Sequence, residues 1–250
     1  LTVRNNSPLN FGAKPVLVSA NSSMTSQRVA AGAGVADSFV MLSIATFTLT
    51  TTYDNATVTS GDPALDFNGL VTMTGNPTIN LVRPGTARTL PRFNAGITDG
   101  GVARTLTFNN TSANATEEAV VIQGPRTLLA TSQIDITGTQ PTRVVLQNLS
   151  AADNSRIRFA STGGNVLDLR SDVAGTFNNT LILDASGELR QSRVGAGNAL
   201  TFGFGAITFN TAATRVGNGN GNLTVNTHYQ FNFTSITAGG NPTININNNG

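Results

Sequence analysis

The 250-residue sequence has no cysteine, no tryptophan, one histidine, two tyrosines and three glutamates, and its only lysine is Lys14. Without cysteine there are no disulfide staples, no thiolate metal sites and no cysteine nucleophile. With His228 alone, a multi-histidine metal site within one chain is excluded. Any histidine-centred triad would have to be built on that residue, and no Gly-x-Ser-x-Gly elbow accompanies it. Charged residues make up only 11% of the chain, less than half the usual share. The polar surface is therefore built from Asn, Thr, Ser, Gln and Gly. The formal charge of +2 rests on scattered arginines (Arg4, Arg28, Arg83, Arg88, Arg92, Arg104, Arg126, Arg143 and onward). No basic run forms a patch, which argues against nucleic acid as a partner, because phosphate affinity needs clustered cations.

No stretch is long and apolar enough to cross a bilayer as a helix. The best candidate, 35–49, carries Asp37, Ser38, Ser43, Thr46 and Thr48 and reads as strand. The sequence opens on Leu1 without a charged or apolar leader and is expected to be a processed product or a fragment. No cofactor is implied by any motif. Gly32-Ala33-Gly34-Val35-Ala36-Asp37 lacks the third glycine of a dinucleotide fingerprint.

What is present is β-signal. Hydrophobic residues reach 39% and include 13 phenylalanines, which is incompatible with global disorder. There is no sustained helical stripe. Short β-branched and aromatic runs recur at 15–19, 39–52, 70–74, 78–82, 105–109, 119–123, 133–137, 143–148, 156–160, 165–169, 180–183, 199–204, 206–210, 222–226, 229–234 and 242–246. Turn clusters such as Gly75-Asn76-Pro77 and Gly163-Gly164 separate them. Thr105-Leu106-Thr107-Phe108-Asn109 alternates strictly, one face apolar and the other Thr or Asn. Gly75-Asn76-Pro77-Thr78-Ile79-Asn80-Leu81 returns as Gly240-Asn241-Pro242-Thr243-Ile244-Asn245-Ile246. Degenerate repetition of a strand-turn unit predicts an all-β solenoid. The alternative is a β-sandwich or jelly-roll-like fold, which would use Asn68-Gly69 and Asn218-Gly219 as hairpin turns. Residues 65–250 have a uniform texture and form the expected solenoid domain. Residues 1–64 differ, with a loop-like 19–36, and are expected to be a cap or assembly segment.

Thr105-Leu106-Thr107-Phe108-Asn109-Asn110, Ala199-Leu200-Thr201-Phe202 and Gly221-Asn222-Leu223-Thr224-Val225 resemble autotransporter-associated β-strand repeats of bacterial surface proteins. The resemblance covers about residues 65–250. It implies a right-handed parallel β-helix in an extracellular passenger or surface fibre, without the membrane barrel.

A β-helix can host carbohydrate chemistry, and glycoside hydrolysis needs two carboxylates. The candidate pairs are Asp168 with Asp172, Asp184 with Glu188, and Asp62 with Asp66, each weighed against an ordinary role in turns. The Asp-Asp and Gly-His-Gly motifs of pectin-degrading β-helix enzymes are missing. Gly163-Gly164-Asn165-Val166-Leu167-Asp168-Leu169 faintly resembles a calcium-binding nonapeptide, but it is single and misspaced. Asn-x-Ser/Thr sequons at Asn21, Asn55, Asn109, Asn114, Asn148, Asn178, Asn222 and Asn232 are read as surface signals. The expectation is therefore a non-catalytic extracellular structural protein: no catalytic, cofactor-binding or metal residues, no membrane span, and surface glycans as a possible ligand. Its homo-oligomer or fibre would form through the solenoid ends and the segment 39–52, bounded by Phe39 and Thr52. A β-helix carbohydrate-active enzyme or glycan-binding module, and a viral or phage fibre or coat protein, are the alternatives.

Overall fold

The computed structural model describes residues 1–12, 14–85, 90–113, 117–148, 153–210, 214–218, 230–239 and 242–246. Among them all regular structure is β, and there is no helix. The strands stack in parallel into a β-solenoid of about eight turns. Each full coil visits sheet B, then sheet C, then sheet A, as in Ala64–Phe67, Val71–Met73 and Thr78–Leu81. Two short strands, Gly32–Ala33 and Val58–Ser60, form a separate two-stranded arm.

Alternation decides which side chains enter. In Thr105–Asn110, Leu106 and Phe108 point inward at 1% and 0% exposure, while Thr105, Thr107 and Asn109 face out. In-register stacking turns each inward position into a column. Ile79, Phe108, Ile136, Phe159 and Leu183 follow one another along sheet A. Phe11, Phe39, Phe67 and Phe93 form a second column, with ring centroids 4.8, 5.6 and 5.8 Å apart. Each fully buried phenylalanine adds about 1.5–3 kcal/mol of apolar burial. One core runs the length of the described coils.

The coils narrow in the middle of the chain and lengthen again towards Gln230–Ala238. Ile79 registers with Phe108, but further on Ile134 registers with Ile157, a shorter circuit. The loss is sheet C, whose last strand is Arg126–Thr127. The equivalent strand Gly175–Thr176 joins sheet A, pairing with the start of Thr201–Phe209. In that nine-residue strand the corner has opened out. Gly205 sits at the former corner, where a Cβ would lie 2.7 Å from the Asn178 carbonyl oxygen.

The hairpin expectation for a sandwich fails on this topology. Asn68-Gly69 is a corner between strands of different sheets, and Gly69 lies so close to the Val40 carbonyl that no side chain fits. Gly219 of the second site lies outside the described residues. The run 39–52 is not one strand: it is divided between Ala36–Phe39, Leu42–Ile44 and Thr48–Tyr53 on sheets B, C and A. Its Phe39, Leu42, Ile44 and Leu49 are buried in the core. Pairing is continuous across residue 64, because Ala36–Phe39 registers with Ala64–Phe67. The runs 199–204 and 206–210 fuse into Thr201–Phe209. The two copies of the Asn-Pro-Thr-Ile-Asn word take different places. Thr78–Leu81 is on sheet A and Ile244–Ile246 on sheet B, so they are not equivalent steps of one repeat.

Candidate functional site

The outer face of sheet B carries an interlocked cluster of charges. Four consecutive coils supply it through Glu118–Ile122, Thr142–Leu146, Asn165–Arg170 and Gly187–Ser192. The alternate positions of these strands, Val120, Val144, Leu167 and Leu189, are the inward ones. Facing out in register are Arg143, Val166 and Glu188, and beside them Val145, Asp168 and Arg190.

The charges interlock. Glu117 receives Arg143 at 3.1 Å on one oxygen and Arg190 at 3.3 Å on the other. Arg190 also grips Glu188 at 2.9 Å. Asp168, fully buried, accepts from Arg170 at 3.1 Å and from the Ser192 hydroxyl at 2.5 Å. Val121, Val145 and Val166 share this face at 5%, 0% and 4% exposure, consistent with arginine stems lying across apolar surface. Burial pulls the Arg143 guanidinium down from its ordinary pKa, against the attraction of Glu117. Burial opposes Arg190 too, but its hydrogen bond to Glu188 and the charge of Glu117 hold it above the ordinary value.

The expected carboxylate pairs are placed as follows. Asp168 is on sheet B, whereas Asp172 lies in the following corner, where it accepts from the Val194 and Gly195 amides and pairs with Arg193 at 3.3 Å. Asp184 closes a sheet A strand and is held by Arg158 at 2.5 Å and by the Asn210 amide. Glu188 is on sheet B, away from it. Asp66 is clamped by both ends of the Arg92 guanidinium, at 2.5 and 2.7 Å. The structure thus joins Asp168 and Glu188, one from each of two expected pairs, together with Glu117. Glu117, Arg143, Arg170 and Arg190 carried no sequence signal as a group. They come from different coils, and coil length varies along the chain.

A general acid or base must come within hydrogen-bond reach of substrate. Asp168 lies behind Arg170 and Ser192 at 0% exposure. Glu117 and Glu188 are each tied to guanidinium groups. The calcium-like segment is a corner and a strand: Gly164 has φ +86°, and Gly163 passes so close to the Gly138 carbonyl, 2.4 Å from a built Cβ, that only glycine fits. Among the described residues no group of three His, Cys, Asp or Glu could hold a metal. No helix there is long and apolar enough to cross a membrane. His228 lies outside the described residues, as do Asn114 and Asn222 of the sequons.

A second polar assembly is internal. Arg126 and Asp153, both at 0% side-chain exposure, meet at 2.5 Å. Arg126 also donates to the Asn148 carbonyl at 3.1 Å and lies 5.7 Å over the Phe177 ring. This pair occupies the point where sheet C ends. The sequence matches no protein-family model, no curated protein and no solved structure.

Proposed function

We propose that this chain is a non-catalytic structural segment of an extracellular or surface protein, a stiff rod that associates end to end with further copies. The observation that carries this reading is the last described coil. The apolar columns of sheet A continue into Gln230–Ala238, and there they are more exposed. Ile207, 1% exposed, registers with Ile236 at 62%. Ile244 is 49% exposed, and Phe231 and Phe233 are only partly buried against Phe202 and Phe204. A parallel strand with exposed apolar residues is a template for another strand.

Three further features support the reading. The outer carboxylates are engaged by arginines or backbone amides rather than left free for substrate. The low charge and the Asn/Thr/Gly surface suit an extracellular location. The resemblance to autotransporter-associated strand repeats points the same way. The test is sedimentation and electron microscopy over a concentration series, with Ile236→Lys as the variant. Concentration-dependent linear particles that the variant abolishes, at unchanged β-structure, are expected. Monomers at every concentration, or release of reducing ends from polysaccharides, would overturn the reading.

A further inference from the structure

The first coil meets sheet B through an irregular segment. Between Thr2–Arg4 on sheet A and Val16–Val18 on sheet C there is no further strand, only the isolated bridge of Asn10 with Ser38. Two backbone bonds flank it: the Ser38 amide donates to the Leu9 carbonyl at 2.8 Å, and the Phe11 amide to the Ser38 carbonyl at 2.9 Å. The Phe11 ring lies flat on Phe39, 4.8 Å away with the planes 1° apart. Beneath the segment sits Asp37. It alternates with Ser38 and points inward like Phe39, in register with Leu65, and it is 0% exposed.

The two oxygens of Asp37 are treated unequally. Oδ1 accepts from the Asn5 side-chain amide at 2.6 Å and from the Leu9 backbone amide at 3.1 Å. Oδ2 has no hydrogen-bond partner among the described residues, and Oδ1 of buried Asn5 has none either. Turning the Asn5 amide over does not help, because its Nδ2 also donates to the Ser7 carbonyl at 2.6 Å. Two orphaned acceptors therefore remain on one amide–carboxyl pair. Buried polar atoms are nearly always hydrogen-bonded, and a buried carboxylate without a cation is costly. A protonated carboxyl gains an O–H donor. One hydrogen on Asp37 Oδ2 thus supplies what both acceptors lack and completes the second rung of a cyclic acid–amide pair.

The surrounding charges do not favour the ionised form. Segment 5–12 and the strand Ala36–Phe39 contain no titratable group besides Asp37. Ala64–Phe67 brings Asp66, whose charge opposes ionisation of Asp37, and Leu90–Phe93 brings Arg92, which is clamped to Asp66. Arg4 and Lys14 flank the segment and are exposed, and Arg4 acts on Asp54. No cation is among the groups that act on Asp37, and burial is the main reason its pKa rises.

We infer that Asp37 is a neutral acid donating its proton to Asn5, and that this pair is a pH-sensitive latch fastening segment 5–11 to the next coil. When the proton leaves to solvent, oxygen faces oxygen with no donor between, and the segment lifts with Leu9 and Phe11. Release uncovers Phe39 and the backbone edge of Ala36–Phe39. The inference is independent of end-to-end association, which uses the last coil. The test is NMR of the full chain across a pH series. It reads the Asp37 carboxyl shift, and amide exchange at Phe11 and Ser38 corrected for intrinsic rates. Asp37 is expected to titrate above the ordinary carboxylate range. In the released segment it returns to its ordinary pKa. Protection of both amides should therefore fall about tenfold per pH unit between the two values, while Thr105–Asn110 keeps its protection. Asp37→Asn offers its own N–H to Asn5 and should hold the segment closed at every pH. Asp37→Leu removes the pair and should leave the segment open at every pH. Titration of Asp37 in the ordinary range, wild-type protection that does not change with pH, or an Asp37→Asn profile that falls like the wild type would each overturn the inference.

Discussion

Removing Asp153 should be among the most damaging single changes in this chain. The Asp153→Ala variant strands the Arg126 guanidinium, which is fully buried and, among the described residues, keeps the Asn148 carbonyl and the Phe177 ring as partners. Breaking a buried ion pair from one side costs about 3–5 kcal/mol. Burial already pulls the Arg126 pKa down, and the charge of Asp153 is what opposes that pull. The reciprocal Arg126→Met change leaves a buried carboxylate and should cost a similar amount. The double variant Arg126→Met with Asp153→Leu should recover most of the loss, because apolar replacement of a buried pair is often neutral or stabilising. The assay is equilibrium unfolding in guanidinium chloride followed by far-UV circular dichroism. With a slope of a few kcal/mol/M, each single change should lower the midpoint by roughly 1 M. Single variants within about 1 kcal/mol of the wild type, or a double variant as weak as either single, would refute the idea that this pair replaces sheet C as the filling of the narrowed coil.

Two other outcomes follow from the core. Phe67→Ala removes the middle of the aromatic column, where the side chain is 0% exposed between Phe39 and Phe93. It should cost about 3–5 kcal/mol in the same unfolding assay. Asp37 has a distinct pH signature. Burial in the first coils raises its pKa, against hydrogen bonds from the Leu9 amide and the Asn5 side chain. The folded state then binds the proton more tightly than the unfolded chain, so this group's contribution to stability falls as pH rises from its ordinary pKa through the raised one. Asp37→Asn removes that dependence, and its stability relative to the wild type should increase between acidic and neutral pH. A difference constant with pH would contradict the assignment.

Much of the strand content was legible. Thr180–Leu183 is a strand with the same bounds as the expected run, and Thr105–Asn110 and Gln133–Gly138 each extend theirs by one residue, because alternation with β-branched residues is a local signal. The failures have specific causes. Ser22–Gln27 looks like loop, with Met24 as its only apolar residue. It is a strand because neighbours on both sides, Thr2–Arg4 and Thr48–Tyr53, take up its backbone groups. Leu90–Phe93 carries Pro91 in its interior. The missing amide is tolerated because the ladder to Glu118–Ile122 begins only at Arg92. The run 39–52 was legible as apolar but not as three strands, since corners here are only a few residues long. The charge lattice on sheet B was out of reach. Its members are separated by whole coils, and the coil length changes where sheet C is lost.

By itself the sequence determined an all-β, disulfide-free chain with apolar residues on one side of each strand and Thr or Asn on the other. These properties are written in neighbouring residues, through the two-residue period of a strand. Only the tertiary structure decided which strands share a sheet, that Asp168 and Glu188 meet Glu117 and three arginines, and that Asn5 meets Asp37. Those depend on the length of each circuit around the solenoid. Circuit length is set by how corners pack, at Gly69 against Val40 or where Arg126 and Asp153 stand in for a strand, and no local pattern encodes it.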